Sequence, residues 1–315
     1  MAGQLHFIKK NFKIMKKIVR HLFRKFGYDI VKIQLNAKNL ALKTKEVFLC
    51  NTVVKMPANN PLVNVYKNVP EFNFLIGKIA KIVANKYPEL KVIDIGANVG
   101  DTTIIITHHI NCDVIAIEGD DISFNYLKLN TAINPRVVAY KQFLGDKNQT
   151  LQMEISKQGW NNTLLPSNNA KKNIILKTLD TFIEYQKISI LNVKLIKLDT
   201  EGFDTIILRG ATKVIIEQKP VIFLEYNNDN MAAISENGLA TILNFVDLGY
   251  HDIYFFDPYG NLILKTNLNQ KLIIEQLDNY IKPNKNSSIV YYDICLIHKD
   301  DGDISEAIDS LLVNA

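Results

Sequence analysis

The chain has 315 residues, 47% of them hydrophobic and 22% charged, a composition ordinary for a soluble globular protein that holds one large α/β domain with an appendage, or two small domains. Its formal charge of +5 is unevenly placed: residues 1–45 carry 12 Lys and Arg against one acid, Asp29, which leaves 25 basic against 31 acidic side chains in the rest. Cys50, Cys112 and Cys295 are scattered and lack a C-x-x-C spacing, which disfavours structural zinc and a disulfide framework, and no apolar run reaches the ~18–20 residues that span a bilayer.

The N-terminal lysines precede no uninterrupted apolar core with a cleavage site, so the reading is a cytoplasmic protein rather than a secreted one. Leu5, Ile8, Phe12, Met15, Val19, Leu22 and Phe26 step by three and four among lysines and arginines, which predicts a basic amphipathic helix over 5–26 within a segment 1–28. Two roles suit it: docking at the inner membrane surface on anionic headgroups, or packing on the domain or on another subunit. Residues 29–88 read as a β-rich lead-in, "DIVKIQL", "EVFLCNTVVKMP" and "ANNPLVNVYKNVP", followed by a helix over 72–87.

From residue 89 to about 300 strands and helices alternate. Strands are predicted at 91–95, 113–118, 136–142, 193–199 and 220–226, and helices near 99–110, 121–131, 177–187 and 203–217. Repeated βα units imply a parallel sheet with helices on both faces. "GYHDIYFFDPYGNLILK" (249–265) predicts a hairpin with its turn at Asp257–Asn261, "SSIVYYDICLIHK" a further strand, and 301–315 a C-terminal tail. Segments 147–176 and 266–288 read as insertions, the second with a short helix; the first holds Trp160 beside Asn161 and Asn162, a pairing suited to sugar faces and hydroxyls and equally at home in a plain loop.

The turn after the first core strand, "KVIDIGANVGDTTIII", is where an open parallel sheet binds ligands. It is neither G-x-x-x-x-G-K-[S/T] nor G-x-G-x-x-G, since Asn98 stands where the second glycine would be. A loop preceded by Asp94 and built on Gly96, Asn98 and Gly100 suits a cationic, phosphate-free ligand, and S-adenosylmethionine is one. Glu118, closing the second strand, is placed to accept both ribose hydroxyls, a spacing that nicotinamide dinucleotides share. Asp146, closing the third strand region, is placed to accept from an adenine amino group. In "VKLIKLDTEGFDTIILRGA" Asp199, Glu201, Gly202 and Asp204 crowd the mouth of a buried strand, and Lys197 inside it reads either as a side chain snorkelling from a sheet edge or as an ion-pair partner of Asp199 or Glu201.

"VIDIGANVGDTT", "AIEGD…YLKLN", "FLGD", "TLDTF" and "IKLDTEGFDTIILRGA" together resemble the FkbM-type family of S-adenosylmethionine-dependent methyltransferases over about residues 50–298, with Asp204 where Glu is the commoner choice. The resemblance implies a Rossmann-like class I methyltransferase fold, its sheet mostly parallel and seven-stranded with the last strand antiparallel, here behind an N-terminal helix and the β-rich lead-in. It also implies S-adenosylmethionine as donor and methyl transfer to oxygen, often a sugar hydroxyl of a polysaccharide, glycolipid or secondary metabolite. A sugar hydroxyl is a poor nucleophile, so Asp199 is the candidate base or metal ligand with Glu201 as its partner; a Mg²⁺ on this pair is compatible with the sequence and required by nothing in it. The rival reading has the D-x-E-G segment only organise the loop and the donor's methionine end. A glycan, glycolipid or small-molecule acceptor is expected, and nucleic acid is disfavoured, because "DPYG" falls in the late hairpin rather than after the fourth strand. A non-catalytic Rossmann-like binding protein is the remaining alternative, against which the intact glycine loop and acids stand.

Overall fold

The computed structural model describes residues 43–158, 161–166, 173–283 and 287–313, with side chains left out over 153–166. The helix expected over 5–26 and the Trp160 with its neighbouring amides lie outside the described residues and side chains. Residues 44–315 make one compact unit. No helix among the described residues is long and apolar enough to cross a membrane.

The expected "DIVKIQL" strand lies outside the described residues, and the described part of the lead-in opens with a hairpin, β1 (Thr44–Leu49) and β2 (Thr52–Pro57), turned at Cys50 and Asn51, both left-handed (φ 50° and 60°) as a two-residue hairpin turn requires. Helix α1 (Leu62–Asn68) and the longer α2 (Phe74–Lys86) follow; Ile76, Ile79, Ala80 and Val83 of α2 recur at helical spacing and are buried.

The core then alternates β3 (Lys91–Ile95), α3 (Asp101–His109), β4 (Asp113–Glu118), α4 (Asp121–Thr131) and β5 (Val137–Lys141). A short β6 (Phe143–Leu144) leaves this sheet, and with β7 (Gln149–Gln158), β8 (Asn161–Pro166) and β9 (Asn173–Lys177) it builds a second sheet of order β6-β9-β7-β8. Helix α5 (Leu179–Tyr185) leads to β10 (Val193–Leu198), then α6 (Asp204–Arg209), α7 (Thr212–Gln218) and β11 (Val221–Tyr226). The chain closes with α8 (Asn228–Ala233), α9 (Gly238–Asn244), β12 (Tyr250–Phe256), β13 (Leu262–Asn267), α10 (Lys271–Tyr280), β14 (Tyr292–His298) and α11 (Gly302–Val313).

The main sheet has the order β13-β12-β14-β11-β10-β3-β4-β5. Strands β11, β10, β3, β4 and β5 are mutually parallel, and β14, the last strand, runs antiparallel to both its neighbours. This is the doubly wound, Rossmann-like sheet expected, with one strand more than seven: β13, the second arm of the β12–β13 hairpin, joins at the edge. Its two faces are both covered, which is why the central strands read as continuous apolar runs. Ile93, Ile115, Ile196, Ile222 and Leu296 point to one core, while Val92, Val114, Leu195, Phe223 and Cys295 point to the other, shared with α2 and α3.

The helix predicted over 203–217 is two helices. Gly210 sits so close to Gly145 that a Cβ would lie 2.2 Å from its carbonyl oxygen. The chain restarts as α7 because Asp180 of α5 accepts from the N–H groups of Lys213 (2.8 Å) and Val214 (3.2 Å).

Candidate active site

Winding turns from β3 toward β4 and β5 on one side and toward β10 on the other, so the carboxyl ends of β3 and β10 frame the crevice. Asp94 does not line it. The side chain is fully buried, and its Oδ2 accepts from the hydroxyls of Thr102 (2.9 Å) and Thr103 (2.6 Å) in the first turn of α3, pinning strand to helix. Asp101, which opens α3, accepts from Tyr66 Oη at 2.5 Å.

The loop between them is closed upon itself. The N–H groups of Gly96 and Ala97 donate to the Ile117 carbonyl, that of Gly100 to Ala97, and that of Asn98 to Glu118 Oε2 at 2.9 Å. Gly96 (φ 71°) serves a close approach: a Cβ there would lie 1.9 Å from the backbone oxygen of Asp199. The close approach at Gly96 is what lets β3 and β10 meet at their carboxyl ends. Asn98 is left-handed (φ 47°), and Gly100 (φ 89°) starts α3 against Leu127 of α4.

Glu118 ends β4 with its carboxylate held by two N–H groups, Asn98 on Oε2 and Asp120 on Oε1 (2.7 Å). Burial nevertheless lifts its pKa to about 7. Asp146 does not end a strand of the main sheet: because β6 departs to the second sheet, Asp146 lies beyond it, with Arg209 Nη2 at 3.7 Å.

At the mouth of β10, Lys197 occupies a central strand and not an edge. Its Nζ lies 3.5 Å from Asp94 Oδ1 and 3.5 Å from Asp199 Oδ2, with only 5% of the side chain exposed. Burial works against its charge, but Asp199 and Asp94 outweigh it and hold the ammonium above its ordinary range. Glu201 pairs elsewhere, with Asn230 Nδ2 at 2.7 Å. The D-x-E-G turn needs two successive left-handed residues, Glu201 (φ 55°) and Gly202 (φ 100°), and buried Asp204 ties it by accepting from the N–H groups of Thr200 and Gly202. Burial, then the charge of Asp199, raises Asp204 to about 7, and the same causes push Glu201 upward. The Asp199 side chain is 40% exposed. Among the described residues no three His, Cys, Asp or Glu side chains gather as a metal-ligand group, Asp199 and Glu201 included.

A pocket of about 430 Å³, its open mouth included, adjoins Asp199 on the side of β11, β14 and β12. Lys197, Asp199 and Asp293 supply its charged lining; Asn73 and Leu75 at the start of α2 face Pro258 and Tyr259 of the β12–β13 turn. Sequence reasoning missed Asp293, Tyr259 and Asn73. The available signal for Asp293 was period two: it stands on the face of β14 that carries buried Cys295 and Ile297, where an acid is out of place. Burial, and next the charge of Asp199, lift Asp293 to about 8.

Residues 94–251 match the family model of the methyltransferase FkbM domain. No curated protein matches the chain. Among solved structures, methyltransferase FkbM of Methylobacillus flagellatus is similar at 15% identity and a TM-score of 0.37, over 67% of this chain and 44% of that one. Precorrin-6y C5,15-methyltransferase of Geobacter metallireducens is similar at 10% identity and 0.32, over 66% and 79%. A TehB-like SAM-dependent methyltransferase of Corynebacterium glutamicum is similar at 12% and 0.34, over 70% and 87%. The chain thus spans less than half the length of the first of these proteins.

Proposed function

We propose that this chain, which belongs to the FkbM methyltransferase family, transfers a methyl group from S-adenosylmethionine to a hydroxyl oxygen, that of a sugar in a polysaccharide, glycolipid or glycosylated metabolite. The donor is what the family implies, and the closed loop after β3 fits it. The N–H groups of Gly96, Ala97, Asn98 and Gly100 are all spent inside the protein, so these four positions have nothing left to give a pyrophosphate. That single observation carries the choice of a phosphate-free nucleoside over a dinucleotide.

Glu118 would hold the ribose. Each of its oxygens receives one N–H, which fixes the carboxylate and leaves a lone pair on each for a hydroxyl. Asp199, open at the crevice with Lys197 Nζ 3.5 Å behind it, complements the donor's positive charge. Asn98 and the Gly96 and Gly100 backbone shape the wall between them. Glu201 and Asp204 keep the D-x-E-G turn in its left-handed path. Asp94 braces the strand, and Asp146, turned toward Arg209, takes no part. When bound, S-adenosylmethionine supplies a methyl group on a sulfonium, already activated toward an oxygen nucleophile.

Calorimetric titration of the full chain with S-adenosylhomocysteine and, in parallel, NADH tests the reading. The expected result is micromolar binding of the homocysteine compound, weakened at least ~10-fold by Glu118→Ala, since a hydrogen bond to a charged group contributes roughly 1.5–3 kcal/mol. Binding of NADH in its place overturns it.

A further inference from the structure

The charges on the face of the sheet toward α2 form two rows at the carboxyl edge. Lys197 pairs in register with Asp94 on β3 and with Phe223 on β11. Two residues further along stand Asp199 and Glu225, and Glu225 pairs in register with Asp293 on β14. Glu118, on β4, lies to the other side of β3 from β10, so Asp199 stands between Glu118 and the pocket that Asp293 lines.

Three features of this pocket ask for an occupant. Lys197 is nineteen-twentieths buried and lines it, yet among the described residues its ammonium has only two long ion-pair contacts, each of 3.5 Å, so its donors are under-used. Asp293 lines the same pocket and has no hydrogen bond or ion pair from another side chain among the described residues. Tyr259 stands at the pocket edge, 67% exposed, on a turn fixed by Asp257, whose carboxylate accepts from the N–H groups of Tyr259 and Asn261. An exposed aromatic ring held by a rigid turn above a polar floor is a platform for a ring that is apolar on its face and hydroxylated at its edge.

We propose that this pocket seats the acceptor as an uncharged polyhydroxy ring, Tyr259 lying on its face, Lys197 donating to the oxygen to be methylated and Asp293 receiving the proton of that hydroxyl. The assignment rests on the methyl-transfer reading above. The acceptor oxygen bonds the methyl carbon as the carbon–sulfur bond breaks and its electron pair returns to sulfur; the O–H proton goes to Asp293 and then to solvent. Lys197 lowers the cost of charge developing on the oxygen, and Asp293 suits the base because it has no tight cationic partner, whereas Asp199 faces the ammonium directly. The class of acceptor follows from charge. The single lysine of the lining is already opposed by Asp94 and Asp199, and Asp293 adds another acid, so a phosphate- or carboxylate-bearing ring is repelled where a neutral one is not.

Full-length protein saturated with S-adenosylhomocysteine is examined by saturation-transfer NMR against neutral methyl glycosides of hexoses and 6-deoxyhexoses, and against hexose 6-phosphates. Neutral glycosides are expected to give signal and the phosphates none, and Tyr259→Ala is expected to abolish the signal while leaving S-adenosylhomocysteine affinity within twofold. Equal signal from phosphates, survival of the signal in Tyr259→Ala, or silence from every neutral glycoside while S-adenosylhomocysteine binds would overturn the acceptor assignment. Failure of S-adenosylhomocysteine to bind is instead the failure of the donor reading. With labelled donor and the glycoside that binds, Asp293→Asn is expected to lower kcat about 10²–10⁴-fold with KM little changed. It is also expected to remove the rising limb of rate near pH 8 that Asp293 sets among Lys197, Asp199, Asp204, Glu225, Asp257 and Tyr291. Asp293→Glu, which keeps the carboxylate, is expected to restore part of the limb; an unchanged pH profile in Asp293→Asn assigns the proton elsewhere.

Discussion

Replacing Lys197 by methionine keeps an unbranched side chain one atom shorter and removes the ammonium, which tests what that charge does for the fold. Asp199 is 40% exposed and regains water when its partner goes. Asp94 cannot. It is fully buried; Oδ2 keeps the two threonine hydroxyls, but Oδ1 has no hydrogen-bond partner, and only the ammonium at 3.5 Å compensates it. Breaking a buried pair from one side typically costs ~3–5 kcal/mol, because a charge stays behind uncompensated. At roughly 2 °C per kcal/mol for a chain of this size, the melting midpoint is expected to fall by ~6–10 °C. The assays are thermal and urea unfolding of the ligand-free full chain, followed by circular dichroism and repeated for Asp94→Asn and for the double variant. Asp94→Asn/Lys197→Met removes both charges and is expected to recover at least ~1 kcal/mol relative to the sum of the single costs, the coupling that contacting residues show. A Lys197→Met chain within ~1 kcal/mol of the native one, or single costs that simply add in the double variant, would refute the role given to this pair.

Gly96→Ala combines a left-handed φ of 71° with a Cβ placed 1.9 Å from the Asp199 carbonyl oxygen. The conformation alone costs ~1–3 kcal/mol; with the clash, a loss above ~3 kcal/mol in a thermal melt is expected, and a loss under ~1 kcal/mol means the β3–β10 junction is looser than this. Asp180→Ala uncaps α7 from a distance and is expected to cost about 1 kcal/mol, with S-adenosylhomocysteine affinity unchanged in the same preparation. Stability should also fall as pH rises through neutrality. Glu118 and Asp204 (each about 7) and Asp293 (about 8) hold protons more tightly folded than unfolded, so the stability they contribute is complete below about pH 4 and is lost as pH climbs through 7 to 8. Acids with lowered values, such as Glu236 beside Arg209, act in the opposite direction but in an acidic range outside this window. A midpoint that rises between pH 5 and 8.5, or an Asp204→Asn chain with an undiminished slope, contradicts the assignment.

How far the chain can be read depends on how local each cause is. The bounds of β3, β4 and α4 coincide with the sequence expectation because an apolar run, a glycine turn and the Asp120 N-cap are written within a few residues of one another. The break between α6 and α7 is not visible that way, since its cause, Asp180, lies 33 residues before the N–H it caps. Asp94 reads as an acid set before the loop for a cationic ligand; its partners, eight and nine residues on, are threonine hydroxyls in the first turn of α3. Asp293 offers only the period-two signal of its own strand; its place at the pocket follows from β14 entering between β11 and β12, both dozens of residues earlier in the chain.

What joins the legible part to the hidden part is the two-residue period of the strands. On the face of the sheet toward α2, Val92, Leu195, Phe223 and Cys295 are buried core. One pleat further toward the carboxyl edge, about 7 Å along each strand, the same face carries Asp94, Lys197, Glu225 and Asp293. Phe223 and Cys295 stand in the row of Lys197, so the core reaches the edge one strand-pair later on that side, and the pocket opens where the carboxylates of β11 and β14 take over from it. A register slip of one residue in β10 would exchange Lys197 for Ile196 or Leu198 and put the ammonium into the opposite, wholly apolar core. The cost of burying that charge unpaired is what fixes the register, so the lysine that arranges the candidate chemistry also helps specify the sheet that presents it.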